Sequence, residues 1–449
     1  MSTRAVVIGG GLAGMLAAAA LSSCFDEVVV LERDVLPAGA ELRRGVPQAK
    51  HAHLLLSGGA RVIDALVPGF LARVYAEGAH ELNAPGDLVA MTTAGWMPRR
   101  SGTQFLVGAS RPLIDWVARD LVTRDPRVHV RDESPVTELI GDAKRVRGVH
   151  GPDGVIEADL VVDAAGRGTR APKWLAELGA GDVRTEVIDS GVAYATRIFQ
   201  APAAARRDFP VITMQADSRG EGPGRGGAVQ PIEGGRWIVT VSGTRGGEPP
   251  TTVDGYTDFV RSGPRHPILG ELIEHAEPLT EVCASRSTAN QRHRYDEVEL
   301  PEGFVALGDS VAAFNPVYGH GMSVAAHGAH VLRSVLAAGG STRQAQRSIC
   351  GIGVGAWEMA AGQDVHFPGV RGASPTRRDL ARRAFVDRMN RTAVSRKRVY
   401  DAMVGAFMLA KPMSSLMAPG VLLDVLRGPI DPPLTEPPLT ADERRRAGL

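Results

Sequence analysis

Gly9, Gly11 and Gly14 stand at G-x-G-x-x-G spacing, and far downstream Gly308-Asp309-Ser310 precedes Asn315-Pro316-Val317-Tyr318-Gly319-His320-Gly321-Met322. The first group is a phosphate cradle. Gly9 permits a tight turn, Gly11 lets bare backbone approach a pyrophosphate, and Gly14 allows close helix packing. Leu12 and Ala13 complete the turn ahead of a helix whose free N–H groups face the anion. Glu32, closing the next apolar run with Arg33 beside it, is placed to accept from ribose hydroxyls. The second group supplies the other end. Asp309 can accept from ribityl hydroxyls, and after the Pro316 turn Gly319 and Gly321 leave bare N–H groups at a helix start that includes His320 and Met322. Such donors suit the N1 and C2 carbonyl of a flavin, where negative charge collects on reduction. The two motifs together point to FAD rather than NAD.

Both motifs need strands and helices to hold them. Residues 5–8, 28–31 and 304–307 are short apolar runs fit for buried parallel strands, and 15–21 and 322–336 are the helices that follow two of them. Short β-rich runs at 209–216, 227–230 and 236–242, bounded by Gly and Pro, predict an antiparallel sheet roofing a substrate cavity. The expected class is therefore mixed α/β: a Rossmann-like FAD-binding domain, an inserted antiparallel-sheet substrate domain and a helical C-terminal region. Its expected bounds are 1–80, 105–175 and 285–345 for the FAD domain, 81–104 and 176–284 for the insert, 346–430 for the helices, and 431–449 for a Pro-rich tail over the surface. There is no internal repeat.

Composition narrows the partners. With 449 residues, 44% of them hydrophobic, the chain can bury a large core, and a net charge of +1 argues against a nucleic-acid partner. Cys24, Cys283 and Cys350 lack metal or redox spacing, so reduced thiols and a cytoplasmic location are expected. His51-x-His53 without nearby Cys or clustered carboxylates does not make a metal site. No charged and apolar leader precedes residue 5, so no secretory signal is expected. The apolar stretch 403–426 is interrupted by Lys411-Pro412 and Pro419-Gly420, so no integral membrane span is expected, although it could dock on apolar surface.

The motifs GGGLAG, Ser110-Arg111-Pro112-Leu113-Ile114-Asp115, the run from Ala158 to Gly168 and GDSxxxFNPVYGHGM resemble single-component FAD monooxygenases of the para-hydroxybenzoate hydroxylase fold. More narrowly, the segments 44–53, 191–197, 231–237 and 314–322 resemble bacterial flavin epoxidases that act on polyene chains in polyether antibiotic pathways, such as those for monensin and lasalocid. The resemblance implies that Arg111 reaches the FAD phosphates or ribose and that Val136 occupies the strand position whose backbone meets adenine. It implies that the loop 43–53 folds back toward the flavin, with Arg44, Gln48 and His51 against the adenosine, the dimethylbenzene edge or the N5 side. His51 and His53 serve there or as structural histidines. Where many hydroxylases read Gly-Ala-Asp-Gly, this chain reads Asp-Ala-Ala-Gly-Arg-Gly from Asp163, so that loop is either a turn stabilising the sheet or a ligand contact.

The implied chemistry is epoxidation of an alkene in a polyketide or terpenoid natural product through a C4a-hydroperoxyflavin. Dioxygen is the oxidant, and NAD(P)H supplies electrons directly or through a separate flavin reductase. The protein's share is orientation and water exclusion, so no side chain is assigned as catalytic. His53, Tyr194, Trp237, Phe314 and Tyr318 are the expected substrate-pocket walls, for a hydrophobic small molecule. The alternatives are an aromatic hydroxylase, a prenyl-chain reductase that needs no dioxygen, or a flavin-binding scaffold without catalysis. A halogenase lacks support because Arg236-Trp237-Ile238-Val239 does not supply the Trp-x-Trp-x-Ile-Pro motif.

Overall fold

Apolar runs too short for helices and without alternation belong in a parallel sheet buried on both faces. In the computed structural model, which describes residues 2–449, four such runs and a half-exposed edge strand, Val128–Arg131, lie side by side. Their spatial order is Phe304–Ala306, Leu160–Asp163, Arg4–Ile8, Glu27–Leu31, Val128–Arg131, all parallel. The chain starts in the middle strand, winds outward through two neighbours, then crosses to the other side. Strand order thus reverses beside Arg4–Ile8, and a crevice opens where Ile8 and Asp163 end in register. That crevice is where open α/β sheets place ligands. The crossover carries a small antiparallel sheet of Glu138–Gly141, Val146–Gly151 and Gly154–Glu157.

Two helices approach the crevice, and small residues let them do so. A Cβ on Gly14, in the helix Leu12–Leu21, would lie 1.8 Å from the Gly9 carbonyl oxygen. Gly308, at φ +64°, turns the chain after Phe304–Ala306, and a Cβ there would lie 2.9 Å from Ala13 Cβ. The long helix Gly321–Ala337 packs against both motifs and against Ser57–Leu66, where Gly59 faces Ser323.

The inserted layer is a large sheet in the order Glu277–Pro278, Ala193–Gln200, Arg236–Gly243, Arg225–Ile232, Val211–Met214, Leu88–Thr92, Gly95–Trp96. It is antiparallel, as expected, except that Val211–Met214 runs parallel to Leu88–Thr92. Leu88–Thr92 arrives from an earlier excursion of the chain, so no hairpin dictates its direction. The strand Ala193–Gln200 was not expected; it is buried along most of its length and shows no alternation to read. Trp237 and Phe209 stack in this layer's core with ring centroids 4.8 Å apart, and Tyr256 donates to the Val239 carbonyl at 2.9 Å.

The helices Thr342–Asp364, Arg377–Ala393, Lys397–Phe407 and Pro419–Arg427 follow. The last stretch, expected to run extended over the surface, docks instead. Leu434 bridges to Trp96, and the helix Ala441–Ala447 is closed by a Thr440/Glu443 capping box, with Glu443 also paired to Arg99 at 2.5 Å. Leu439 and Ala447 join the core of the inserted layer. No helix among the described residues is long and apolar enough to cross a membrane.

Gly14→Ala must push apart the turn and the first helix, so it should cost about 3 kcal/mol in urea unfolding. Gly351→Ala, a helical site with nothing near its Cβ position, should instead stabilise by about 0.5–1 kcal/mol. Equal effects of the two would contradict the close approach.

Candidate functional site

The first turn ends the strand Arg4–Ile8 with Gly9 at φ +100°, where a Cβ would press on the Ala164 carbonyl oxygen at 2.6 Å. Glu32, buried at the end of Glu27–Leu31, closes the turn from the side. Its Oε2 accepts from the Gly10 N–H at 2.8 Å and from Arg43 at 2.9 Å, and its Oε1 accepts from the Asp34 N–H at 3.1 Å. Burial pushes the Glu32 carboxyl up, but these donors outweigh it and hold the group below its usual range. Oε1 carries one donor and has room for another, such as a ribose hydroxyl. Arg43 lies across the turn, 3.3 Å from the Cβ position of Gly11. Donors thus reach the turn from two sources: Arg43, which is also paired with Glu32, and the N-terminus of Leu12–Leu21.

The second motif meets the first across the crevice. No protein group donates to the Asp309 carboxylate among the described residues, and its Oδ1 lies 3.6 Å from the Cβ position of Gly321. Burial raises the Asp309 carboxyl, while the charges of Arg167 and Arg111 counter that rise. Arg111, capped into its helix by Ser110, is held by Asp115 at 2.7 Å. Arg167 belongs to the Asp-Ala-Ala-Gly-Arg-Gly loop. Asp163, pushed up by burial to about 6, binds the Ala165 N–H and the Thr169 hydroxyl, and Ser310 accepts from the Gly166 N–H at 2.9 Å. The loop is therefore stitched to the Asp309 turn and delivers Arg167 beside it, donating to the Ala289 and Phe314 carbonyls. The Nε of Arg167 and the Oε1 of Gln230 are buried without a protein partner, one a donor and one an acceptor suited to a polar ligand.

A buried polar network underlies the flavin-type loop. Asp364, at the end of the helix Thr342–Asp364, accepts from Tyr318 at 2.7 Å, Asn290 at 2.8 Å and Asn315 at 2.9 Å. Tyr194 donates to Asn315 Oδ1 at 2.6 Å. Tyr194 and Tyr318 thus spend their hydroxyls on holding Asn315-Pro316 rather than presenting them to a cavity. Phe314 is buried in the main core, and Trp237 lies wholly inside the inserted layer, where it lines no crevice. Pro316 is half-buried, Gly319 turns the chain at φ +69°, and Met322 is buried in the first turn of Gly321–Ala337.

The loop 43–53 is anchored to the inserted sheet. His51 Nδ1 is hydrogen-bonded to Thr196 at 2.8 Å, the Ala52 N–H donates to Thr240 at 3.1 Å, and His53 Nδ1 donates to the His51 carbonyl at 2.8 Å. Gln230 donates to the His53 and Ala109 carbonyls. His320 donates from Nε2 to the Phe407 carbonyl at 3.2 Å. Burial lowers His51 and His320 to about 4; burial and the Arg111 charge lower His53 to about 3. All three are neutral at pH 7.

Gly9, Gly11, Leu12, Ala13, Gly14, Glu32, Arg111, Asp309 and Gly321 therefore come together around one crevice. Arg33 points outward beside Asp34, Arg44 is exposed, and Gln48 is half-buried with no side-chain partner. Val136 lies in the irregular segment between Val128–Arg131 and Glu138–Gly141, not in a strand, because the chain turns there past Ser134, whose N–H donates to the Glu32 carbonyl at 2.7 Å. The sequence reading missed Arg43, Arg167 and Asp364. Adjacent arginines in a loop carry no sign of which turns inward, and Asp364 reaches the site only through tertiary packing.

No protein-family profile matches the chain. Protein Rv3254 of Mycobacterium tuberculosis is 31% identical over 390 residues, spanning 81% of this chain and 80% of the relative. The chain belongs to the Rv3254 family. Two solved structures show what fold this Rv3254-family chain adopts. PqsL, described as a probable FAD-dependent monooxygenase from Pseudomonas aeruginosa, superposes with a TM-score of 0.59 at 16% identity, over 80% of this chain and 93% of PqsL. A triple mutant of the flavin-dependent brominase Bmp2 gives a TM-score of 0.64 at 15% identity, over 94% and 99%. The Rv3254-family chain thus has the mixed α/β fold of FAD-binding monooxygenases: a Rossmann-like sheet, an inserted sheet layer and C-terminal helices.

The histidine burial has a signed consequence. The unfolded chain protonates His51 below about pH 6.5 whereas the folded chain resists until about 4, so this residue's stabilising share is full above pH 6.5 and is lost as pH falls. In His51→Gln the slope of unfolding free energy between pH 6 and 5 should flatten by about 1.4 kcal/mol per pH unit. Urea titrations at several pH values measure it, and an unchanged slope would contradict a neutral buried His51.

Proposed function

We propose that this protein is an FAD-dependent monooxygenase that transfers one oxygen atom of dioxygen to an alkene of a polyketide or terpenoid natural product. The observation that carries the reading is the meeting of the Gly9–Gly14 turn and the Asp309–Gly321 motif across one switch-point crevice. Glu32 and Arg43 would hold the adenosine and phosphate end, Arg111 would reach the phosphates or ribose, and Asp309 with the start of Gly321–Ala337 would hold the ribityl and ring end. Bound FAD would supply the activation of dioxygen. The balance is alkene, dioxygen, NAD(P)H and a proton giving epoxide, water and NAD(P)⁺, with the hydride delivered directly or through a reductase. The descriptions of PqsL as a monooxygenase and Bmp2 as a brominase support flavin chemistry on this fold.

An alkene is favoured over a phenol by the histidines around the crevice. A phenol hydroxylase gains from a base poised near the working pH, and burial holds His51 and His320 at about 4 and His53 at about 3, each with one ring nitrogen in an internal bond. Alkene attack needs no deprotonation. The similarity of segments 44–53 and 314–322 to polyether epoxidases points the same way.

The test uses the FAD-loaded protein, photoreduced, mixed with oxygen-18 gas and a polyene polyketide. An epoxide carrying one oxygen-18 atom is the expected product. A saturated alkene formed without oxygen would replace this reading by a prenyl-chain reductase, and reoxidation without product from any alkene or phenol would remove the monooxygenase assignment.

A further inference from the structure

Charge is unevenly spread along this chain. Residues 377–430 hold eleven Lys and Arg against four Asp and Glu, a net +7 in a chain whose total is +1. The helix Pro419–Arg427 lies inside this basic stretch. Its inner face, Val421, Asp424 and Val425, packs on Met389, Val399 and Tyr400. Its outer face does the opposite of what a solvated surface helix does: Leu423 and Leu426, at i, i+3 spacing, are 46% and 73% exposed, and Ile430, three residues beyond the helix end, is 70% exposed.

Cations flank this apolar row. Arg388 donates to the Val425 and Leu426 carbonyls, Arg396 to the Gly428 carbonyl, and Arg398 to the Gly420 carbonyl. Arg396, Arg398 and Arg427 share one carboxylate, Asp424, at 3.6, 3.4 and 3.9 Å, so positive charge remains uncompensated there. Beside the helix is a surface basin of about 570 Å³ lined by Lys397, Arg398 and Lys411, in which Asp401 answers only Lys397.

We propose that this face docks the protein on an anionic lipid bilayer, with Leu423, Leu426 and Ile430 in the headgroup–acyl boundary and the basin around a lipid phosphate. Exposed apolar side chains beside uncompensated cations are the pairing that an anionic bilayer meets, acyl chains with the leucines and phosphates with the guanidiniums. The helix lies on the surface rather than spanning, since nine residues cannot cross a bilayer. The inference is independent of the flavin chemistry, so either can fail alone.

The test is co-sedimentation of the full-length protein with vesicles of phosphatidylglycerol and phosphatidylcholine, against phosphatidylcholine alone. Binding to the anionic vesicles is expected, weakening with salt and falling about tenfold or more in the Leu426→Glu, Ile430→Glu double variant. Thermal melting and flavin content of that variant should match the parent, because both side chains are exposed. Lack of binding, equal binding to neutral vesicles, or full binding by the double variant would overturn the proposal. A concentration-dependent dimer dissolved by the same substitutions would assign the face to a second copy of the chain instead.

Discussion

Gly14 sits so close to the Gly9 carbonyl that any side chain there would lie inside it, and Gly308 sits almost as close to Ala13. The first contact fixes the turn, and the second brings two parts of the sequence that are far apart along the chain to the rim of one sheet. Without them the helix Leu12–Leu21 could not point its N-terminus into the crevice, and Asp309 could not face it. The topology supplies the crevice by reversing strand order beside Arg4–Ile8. The small residues decide how narrow it is.

Electrostatics follow from that narrowness. A carboxylate as enclosed as Asp309 is costly unless it is answered by charge or by hydrogen-bond donors. The protein answers with Arg111 and Arg167, leaving the carboxylate oxygens themselves without a protein donor. At the other end Glu32 is answered by Arg43 and two backbone N–H groups. The loop between Asn315 and Gly319 is fixed from below by Asp364, through Tyr318, Asn290 and Asn315. The C-terminal helices are thereby tied to the site although they supply no residue to the crevice itself.

The strands of the central sheet and the two glycine motifs were legible in the sequence because each is local: an apolar run, a fixed spacing, an acid at a strand end. The inserted sheet was legible in part. Arg236–Gly243 shows a β-rich run, whereas Ala193–Gln200 is buried along most of its length and mixes Thr196, Arg197 and Gln200 with apolar residues, so no alternation marks its strand. The helix Ala441–Ala447 carried a readable capping box in Thr440 and Glu443, masked by the prolines before it. The side chains expected to wall a cavity were the least legible. Tyr194, Tyr318, Phe314 and Trp237 are aromatic at suggestive positions, yet aromatic residues serve cores and networks equally well. Only packing separates those uses.

The central claim is that both motifs hold one ligand across the crevice. Equilibrium titration of the flavin-stripped protein with FAD and with FMN, followed by flavin fluorescence, tests it directly. FMN has the ribityl and ring end but lacks the adenosine end that the Gly9–Gly14 turn and Glu32 are placed to hold. One FAD per chain, bound at least about 100-fold more tightly than FMN, a difference of about 2.7 kcal/mol, is the predicted result. Equal affinities for the two flavins would contradict the account.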